Sequence, residues 1–79
     1  MITVTNAQIY SIENGNAVAY EITYSDGQVV RTVVANDDWL SLEYKTICGW
    51  KISRGYIVKK DNRRQGERMI ETVKNFLEI

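Results

Sequence analysis

The sequence predicts an α+β fold: an antiparallel β-meander of three to five strands, with a C-terminal amphipathic helix packed on one face. Three observations carry that expectation. Asn14-Gly15 and Asp26-Gly27 are hairpin dipeptides, because Gly, Asn and Asp accept a positive φ at little cost. The segments around them are rich in Val, Ile, Tyr and Thr, which pack well on a pleated surface. Near the C-terminus the apolar spacing changes from alternation to the period of a helix.

Strands are expected at Ile9–Ile12, Ala17–Tyr24 and Val29–Ala35, within a meander running from Ile2 to Ala35. A turn at Asn14-Gly15 sets Ile12 opposite Ala17, Tyr10 opposite Ala19 and Ile9 opposite Tyr20. A two-residue loop at Asp26-Gly27 sets Tyr24 opposite Val29, Ile22 opposite Arg31 and Tyr20 opposite Val33. One face then gathers Ala7, Ile9, Val18, Tyr20, Ile22, Tyr24, Val29, Val33 and Ala35, and this is the expected core face.

Met69, Ile70, Val73, Phe76 and Leu77 fall on one stripe of a helix ending near Leu77, with Phe76 expected in the core. Asn62 with Gln65 matches a capping box, and Gly66 weakens the first turn, so the helix is expected to begin nearer Gln65. Between sheet and helix the pattern supports two structures. Asn36, Asp37 or Asp38 can cap a helix that stops at Gly49. Yet Leu40, Leu42, Tyr44, Thr46, Cys48, Trp50 and Ile52 alternate with mostly polar residues, as a strand would. The capping residues favour a short helix or turn from Asp37 to about Cys48, then a strand or hairpin through Trp50 to Lys60. Gly49 and Ser53-Arg54-Gly55 are the expected break points.

At 79 residues, 1–79 reads as a single domain that buries only about 60% of its unfolded surface, so partners are expected. The chain has no His and one Cys. A Ser-His-Asp or Cys-His nucleophile cannot be assembled within it, nor a four-ligand structural zinc site in a monomer. Asp37-Asp38, with Glu43 nearby, reads as helix capping or an ordinary turn and not as a metal or catalytic pair. No nucleotide-binding glycine motif is present. No cofactor, metal or enzymatic activity is expected. Cys48 is expected as a small buried hydrophobe, and a lone thiol suits a reducing cytoplasm. The apolar runs are too short for a membrane span.

Ten Lys and Arg balance ten Asp and Glu, yet the charge is polarised. Residues 1–44 hold one base, Arg31, against six acids, and residues 45–79 hold nine bases against four. The basic excess peaks in 45–64, where Lys45, Lys51, Arg54, Lys59, Lys60, Arg63 and Arg64 face Asp61 alone, beside Trp50 and Tyr56. Lys51, Arg54, Tyr56, Lys59, Lys60, Arg63 and Arg64 are therefore the candidate partner- or anion-binding residues, with Trp39 and Trp50 the candidate interface aromatics. Arg63 and Arg64, in the expected first turn of the helix, would add to an anion site there. The leading expectation is a small non-enzymatic binding module acting through protein–protein contact or self-association, since the two oppositely charged halves suit pairing. The alternative is nucleic-acid binding through the stripe. An inhibitor or accessory protein of a mobile element fits either mode on size alone.

Overall fold

The computed structural model describes residues 1–35, 40–53 and 60–79, with the side chains of 60–63 left out. Five strands, β1 (Val4–Ile12), β2 (Ala17–Tyr24), β3 (Val29–Ala35), β4 (Leu40–Thr46) and β5 (Gly49–Ile52), form one antiparallel sheet in the order β1-β2-β3-β4-β5. The helix α1 (Lys60–Leu77) packs against it, so the fold is α+β as the sequence predicts. Among the described residues no helix is long and apolar enough to cross a membrane.

The first hairpin has the expected register: Ile12 pairs with Ala17, Tyr10 with Ala19 and Ile9 with Tyr20. Asn14 (φ 56°, ψ 32°) and Gly15 (φ 88°) occupy the left-handed region that a type I′ turn requires. Near the start of β1 the pairing shifts between Val4 and Asn6, leaving Thr5 as an extra residue. That bulge turns Val4 back towards the apolar cluster under the helix.

The second hairpin is one residue out of the expected register. Thr23 pairs with Val29, Ile22 with Val30, Glu21 with Arg31 and Tyr20 with Thr32. The loop holds three residues, not two: Gly27 N–H donates to the Tyr24 carbonyl (2.9 Å), and Tyr24 N–H donates to the Gln28 carbonyl (2.9 Å). Only Gly27 (φ 90°) has a positive φ, while the Asp26 carboxylate accepts from Gln28 N–H at 3.0 Å. An Asp that caps its own turn leaves the left-handed position to the glycine alone, which is the three-residue geometry. The slip inverts β3, because side chains alternate with period two. Val30, Thr32 and Val34 go to the helix side, and Val29, Arg31, Val33 and Ala35 to the other.

Residues 40–46 are a strand, not the favoured helix or turn. Leu40, Leu42 and Tyr44 pair with Val34, Thr32 and Val30, which puts their alternating side chains on the helix side. The open edge of β3 supplies ladder partners that outweigh a local capping signal. The capping candidates Asn36, Asp37 and Asp38 lie outside the described residues. The chain reverses at Ile47-Cys48, with Gly49 opening β5 as an expected break point. Cys48 is thus exposed in a turn and not buried, because a strand at 40–46 puts it at the hairpin tip. β5 ends at Ile52. The rest of the strand expected to run to Lys60 falls on undescribed residues, and Lys60 itself is helical.

α1 starts before the expected capping box, so Asn62 and Gln65 lie inside it. It ends at Leu77 as expected. Glu78, in the left-handed region (φ 60°), lets its own N–H and that of Ile79 donate to the Asn75 and Lys74 carbonyls. Val73 is 0% exposed and packs with Ala7 and Ile22, with Met69 at the margin. Phe76 is 44% exposed, so its expected place in the core is not what the structure shows. Exposure along the stripe thus rises from Val73 to the last turn, where Leu77 is 37% exposed.

Gly66, read from the sequence as a weak point, marks a close approach of helix and sheet. A Cβ there would lie 3.0 Å from Thr32 Oγ1 and 3.1 Å from Leu40 Cδ1. Thr32 is fully buried, and its hydroxyl is held by the Ser41 carbonyl at 3.0 Å, so it has little freedom to retreat. In an exposed helix Gly→Ala gains about 1 kcal/mol, whereas overpacking a core costs about 1–3 kcal/mol. Gly66→Ala should therefore leave stability flat or reduce it, and Gly66→Leu should reduce it by about 3 kcal/mol in urea unfolding. A clear gain for both would mean that helix and sheet are not in contact here.

Candidate functional site

The face of the sheet without the helix carries the chemistry. Antiparallel pairing lines up Gln8, Glu21, Arg31, Glu43 and Ile52 in one row across all five strands. Tyr10, Ala19, Val33 and Ser41 form the next row, and Trp50 stands opposite Lys45 on the same face. The pairing of β3 alone decides that Arg31 belongs here. One residue away it would have been pressed under the helix.

Arg31 is the centre of a continuous polar network. Its Nε and Nη2 donate to Glu43 Oε1 at 3.1 and 2.9 Å, and Nη1 donates to Tyr10 Oη at 3.0 Å. Tyr10 in turn donates to Glu21 Oε1 (2.9 Å), and Gln8 Nε2 donates to Glu21 Oε2 (2.6 Å). Ser41 Oγ donates to Glu43 Oε2 at 2.8 Å. The guanidinium carbon lies 4.1 Å from the centroid of the Trp50 ring, a cation–π stack. The Arg31 and Glu43 side chains are only 13% and 14% exposed, so this ion pair is largely shielded from water. Among the described residues no buried side-chain polar atom lacks a partner.

These contacts set the protonation of the site. Burial pushes the Tyr10 hydroxyl up from its ordinary value; the donating Arg31 opposes that shift and the accepting Glu21 adds to it. For Arg31, burial pulls downward, but hydrogen bonds to Tyr10 and Glu43 and the Glu43 charge outweigh it and raise the guanidinium further. Both effects keep Tyr10 neutral and Arg31 charged throughout the physiological range.

Beside the network lies an open groove of about 610 Å³. Ile12, Ala17, Val33 and Ala35 give it an apolar side, and Glu13, Arg31, Ser41, Glu43 and Trp50 a polar one. Ala17, Ala19 and Val33 form a second buried apolar cluster, with Tyr10, Ile12 and Ala35 packed on it. The sheet is thus apolar on both faces but helix-covered on one. Among the described residues no group of three or more His, Cys, Asp or Glu is placed to hold a metal ion.

Of the residues singled out from the sequence, the structure brings Trp50 alone into this site, half-buried under Arg31. Lys51 is exposed but belongs to the opposite side of β5, opposite Tyr44 on the helix side, whereas Lys45 shares the face of Trp50. Arg64 is exposed on α1; since α1 starts at Lys60, Arg63 falls in its first turn and Arg64 just beyond it. Lys60 and Arg63 belong to α1 with side chains outside the described set, and Trp39, Arg54, Tyr56 and Lys59 are outside the described residues altogether. Gln8, Tyr10, Glu21, Arg31, Ser41 and Glu43 were missed as a group. One signal was available: Arg31 is the only base among residues 1–44 and interrupts a run of valines and threonine. No protein-family model, curated protein or solved structure matches the chain.

Proposed function

We propose that this protein is a small non-enzymatic module that binds another protein through the helix-free face of its sheet. The observation that carries the reading is the clustering there of Trp50, Arg31 and Tyr10. Trp, Tyr and Arg are the side chains that dominate binding energy at protein interfaces, chiefly beside pockets that a partner can fill. The network locks their rotamers, so little side-chain entropy remains to be lost on association. The same bonds argue against catalysis, because the donors and acceptors are spent on one another. A cytoplasmic location fits a single exposed thiol kept reduced.

Selection of displayed peptides against the immobilised protein tests this reading, since selected ligands concentrate on surfaces built to bind. The peptides recovered should compete with one another, and Trp50→Ala should weaken them at least about 30-fold, the loss typical of a hot spot. A parallel salt titration with duplex and single-stranded DNA covers the alternative. Tight DNA binding that falls steeply with salt and ignores Trp50→Ala, but is lost when Lys59, Lys60, Arg63 and Arg64 are all changed to Glu, would replace the proposal with nucleic-acid binding through residues 45–64.

A further inference from the structure

Among the described residues β1 is an edge strand whose one neighbour is β2, so within them alternate N–H and C=O groups along its outer side have no ladder partner. Natural edges are guarded by shortness, by charge or by proline. At the other end of the described sheet, β5 has four residues and carries Lys51. β1 has nine residues with neither charge nor proline, and residues 1–12 hold no charged side chain. The bulge at Thr5 disturbs one end only, leaving Asn6–Ile12 in regular pairing with β2.

A second observation points to the same side of the molecule. Gly66 sits over Thr32 and Leu40 on β3 and β4, while Val73 packs on Ala7 and Ile22 on β1 and β2. α1 therefore runs across the strands towards β1. Seven helical residues rise about 10 Å, matching two strand spacings of about 4.8 Å. One further turn carries the helix beyond β1, and that turn holds Phe76 (44% exposed) and Leu77 (37% exposed). An uncharged open edge and an overhanging apolar helix end thus lie side by side.

We propose that a second copy of this chain occupies this surface, the two β1 strands pairing antiparallel about a two-fold axis to give a continuous ten-stranded sheet. The regular stretch is centred on Ile9, so the axis sets Ile9 beside its counterpart, Gln8 beside Tyr10 of the other copy, and the two helix ends against each other. Self-pairing brings no like charges together along the strand, and the chain has zero net charge, so no net electrostatic repulsion separates two copies. The facing strip is about 23 Å long and about 20 Å tall through sheet and helix, roughly 500 Å² per copy. At roughly 1,000 Å² in total, this lies at the low end of the size range for specific interfaces, where weak, reversible pairing is the rule. This surface is distinct from the groove at Trp50 and does not depend on the proposed role of that face.

Sedimentation equilibrium between about 5 and 500 µM tests the proposal, since a weak dimer changes its populations over that range. The parent should move from 9.1 kDa towards twice that mass. Gln8→Lys places a charge on the edge while keeping Glu21 as its neighbour, and it should shift dissociation at least tenfold towards monomer. Phe76→Ser should do the same from the helix side. Circular dichroism and melting at low concentration check that each variant remains folded. Trp50→Ala should dimerise as the parent does. A parent that stays monomeric at every concentration, a dimer indifferent to Gln8→Lys and Phe76→Ser, or one dissociated by Trp50→Ala alone overturns the proposal.

Discussion

Ile22→Ala should lower stability by about 3 kcal/mol, while Phe76→Ala should cost about 1 kcal/mol, reversing the order that the helical stripe suggests. Ile22 is 1% exposed at the centre of the cluster beneath Val73, so its removal leaves a void that sheet and helix cannot close. A chain of 79 residues has a total stability of about 4–12 kcal/mol, so the loss is a large share of it. Each kcal/mol moves the midpoint of a domain this size by about 4–8 °C, which puts Ile22→Ala about 12–24 °C below the parent. The Phe76 ring already meets solvent over 44% of its surface, so truncation forfeits only part of a transfer energy. Thermal melts at low protein concentration decide between the two placements. A larger drop for Phe76→Ala than for Ile22→Ala would mean that the last turn of α1 lies in the core.

Breaking the central ion pair from one side should be costly, and replacing both partners should not be. Arg31→Met strands the Glu43 carboxylate among its neighbours, removes the stack on Trp50 and takes a donor from Tyr10. Removing one partner of a shielded pair costs about 3–5 kcal/mol, whereas exchanging both for apolar side chains is often neutral or stabilising. The exposure of 13% and 14% leaves some solvent screening, so the expected cost of Arg31→Met is near 3 kcal/mol, the low end of that range. Adding Glu43→Leu to Arg31→Met should recover at least about 2 kcal/mol of it. Urea unfolding of the two single variants and the double variant measures this coupling directly. Additive losses would show that the two side chains do not act as a pair.

The hairpin at Asn14-Gly15 and the presence and end of α1 were legible because each rests on a signal with one solution. Asn-Gly suits a type I′ turn, and a period near 3.6 from Met69 onward cannot be accommodated by a strand. The register of β3 was not legible, for a reason visible in its residues. Val29-Val30 and Val33-Val34 are apolar pairs four apart, so shifting the strand by one residue leaves an equally apolar face on either side. Hydrophobic pattern could not choose between the two registers, and the three-residue loop ending at Gly27 did. The candidate site inherited that ambiguity, because the network exists only in the register that pairs Arg31 with both Glu21 and Glu43.

Residues 40–46 show the opposite failure. Their alternation was present and correct, but the capping residues before them and the glycine after them offered a local helix of competing appeal. A strand gains its ladder only when a neighbour is in place, and that neighbour, β3, is remote from any local window.

By itself the sequence determined the α+β class, the first hairpin with its register, the presence and end of the last helix, and the polarised charge with its lack of histidine. These follow from backbone preferences and periodicities that act within a few residues of one another. Only the tertiary structure decided which side of β3 meets the helix, that Gly66 marks a close approach, that Cys48 stands exposed, and that Arg31, Tyr10, Glu43 and Trp50 meet on one face. Each of those depends on pairing between separate strands or on helix-to-sheet distance, and no single segment of the chain holds that information.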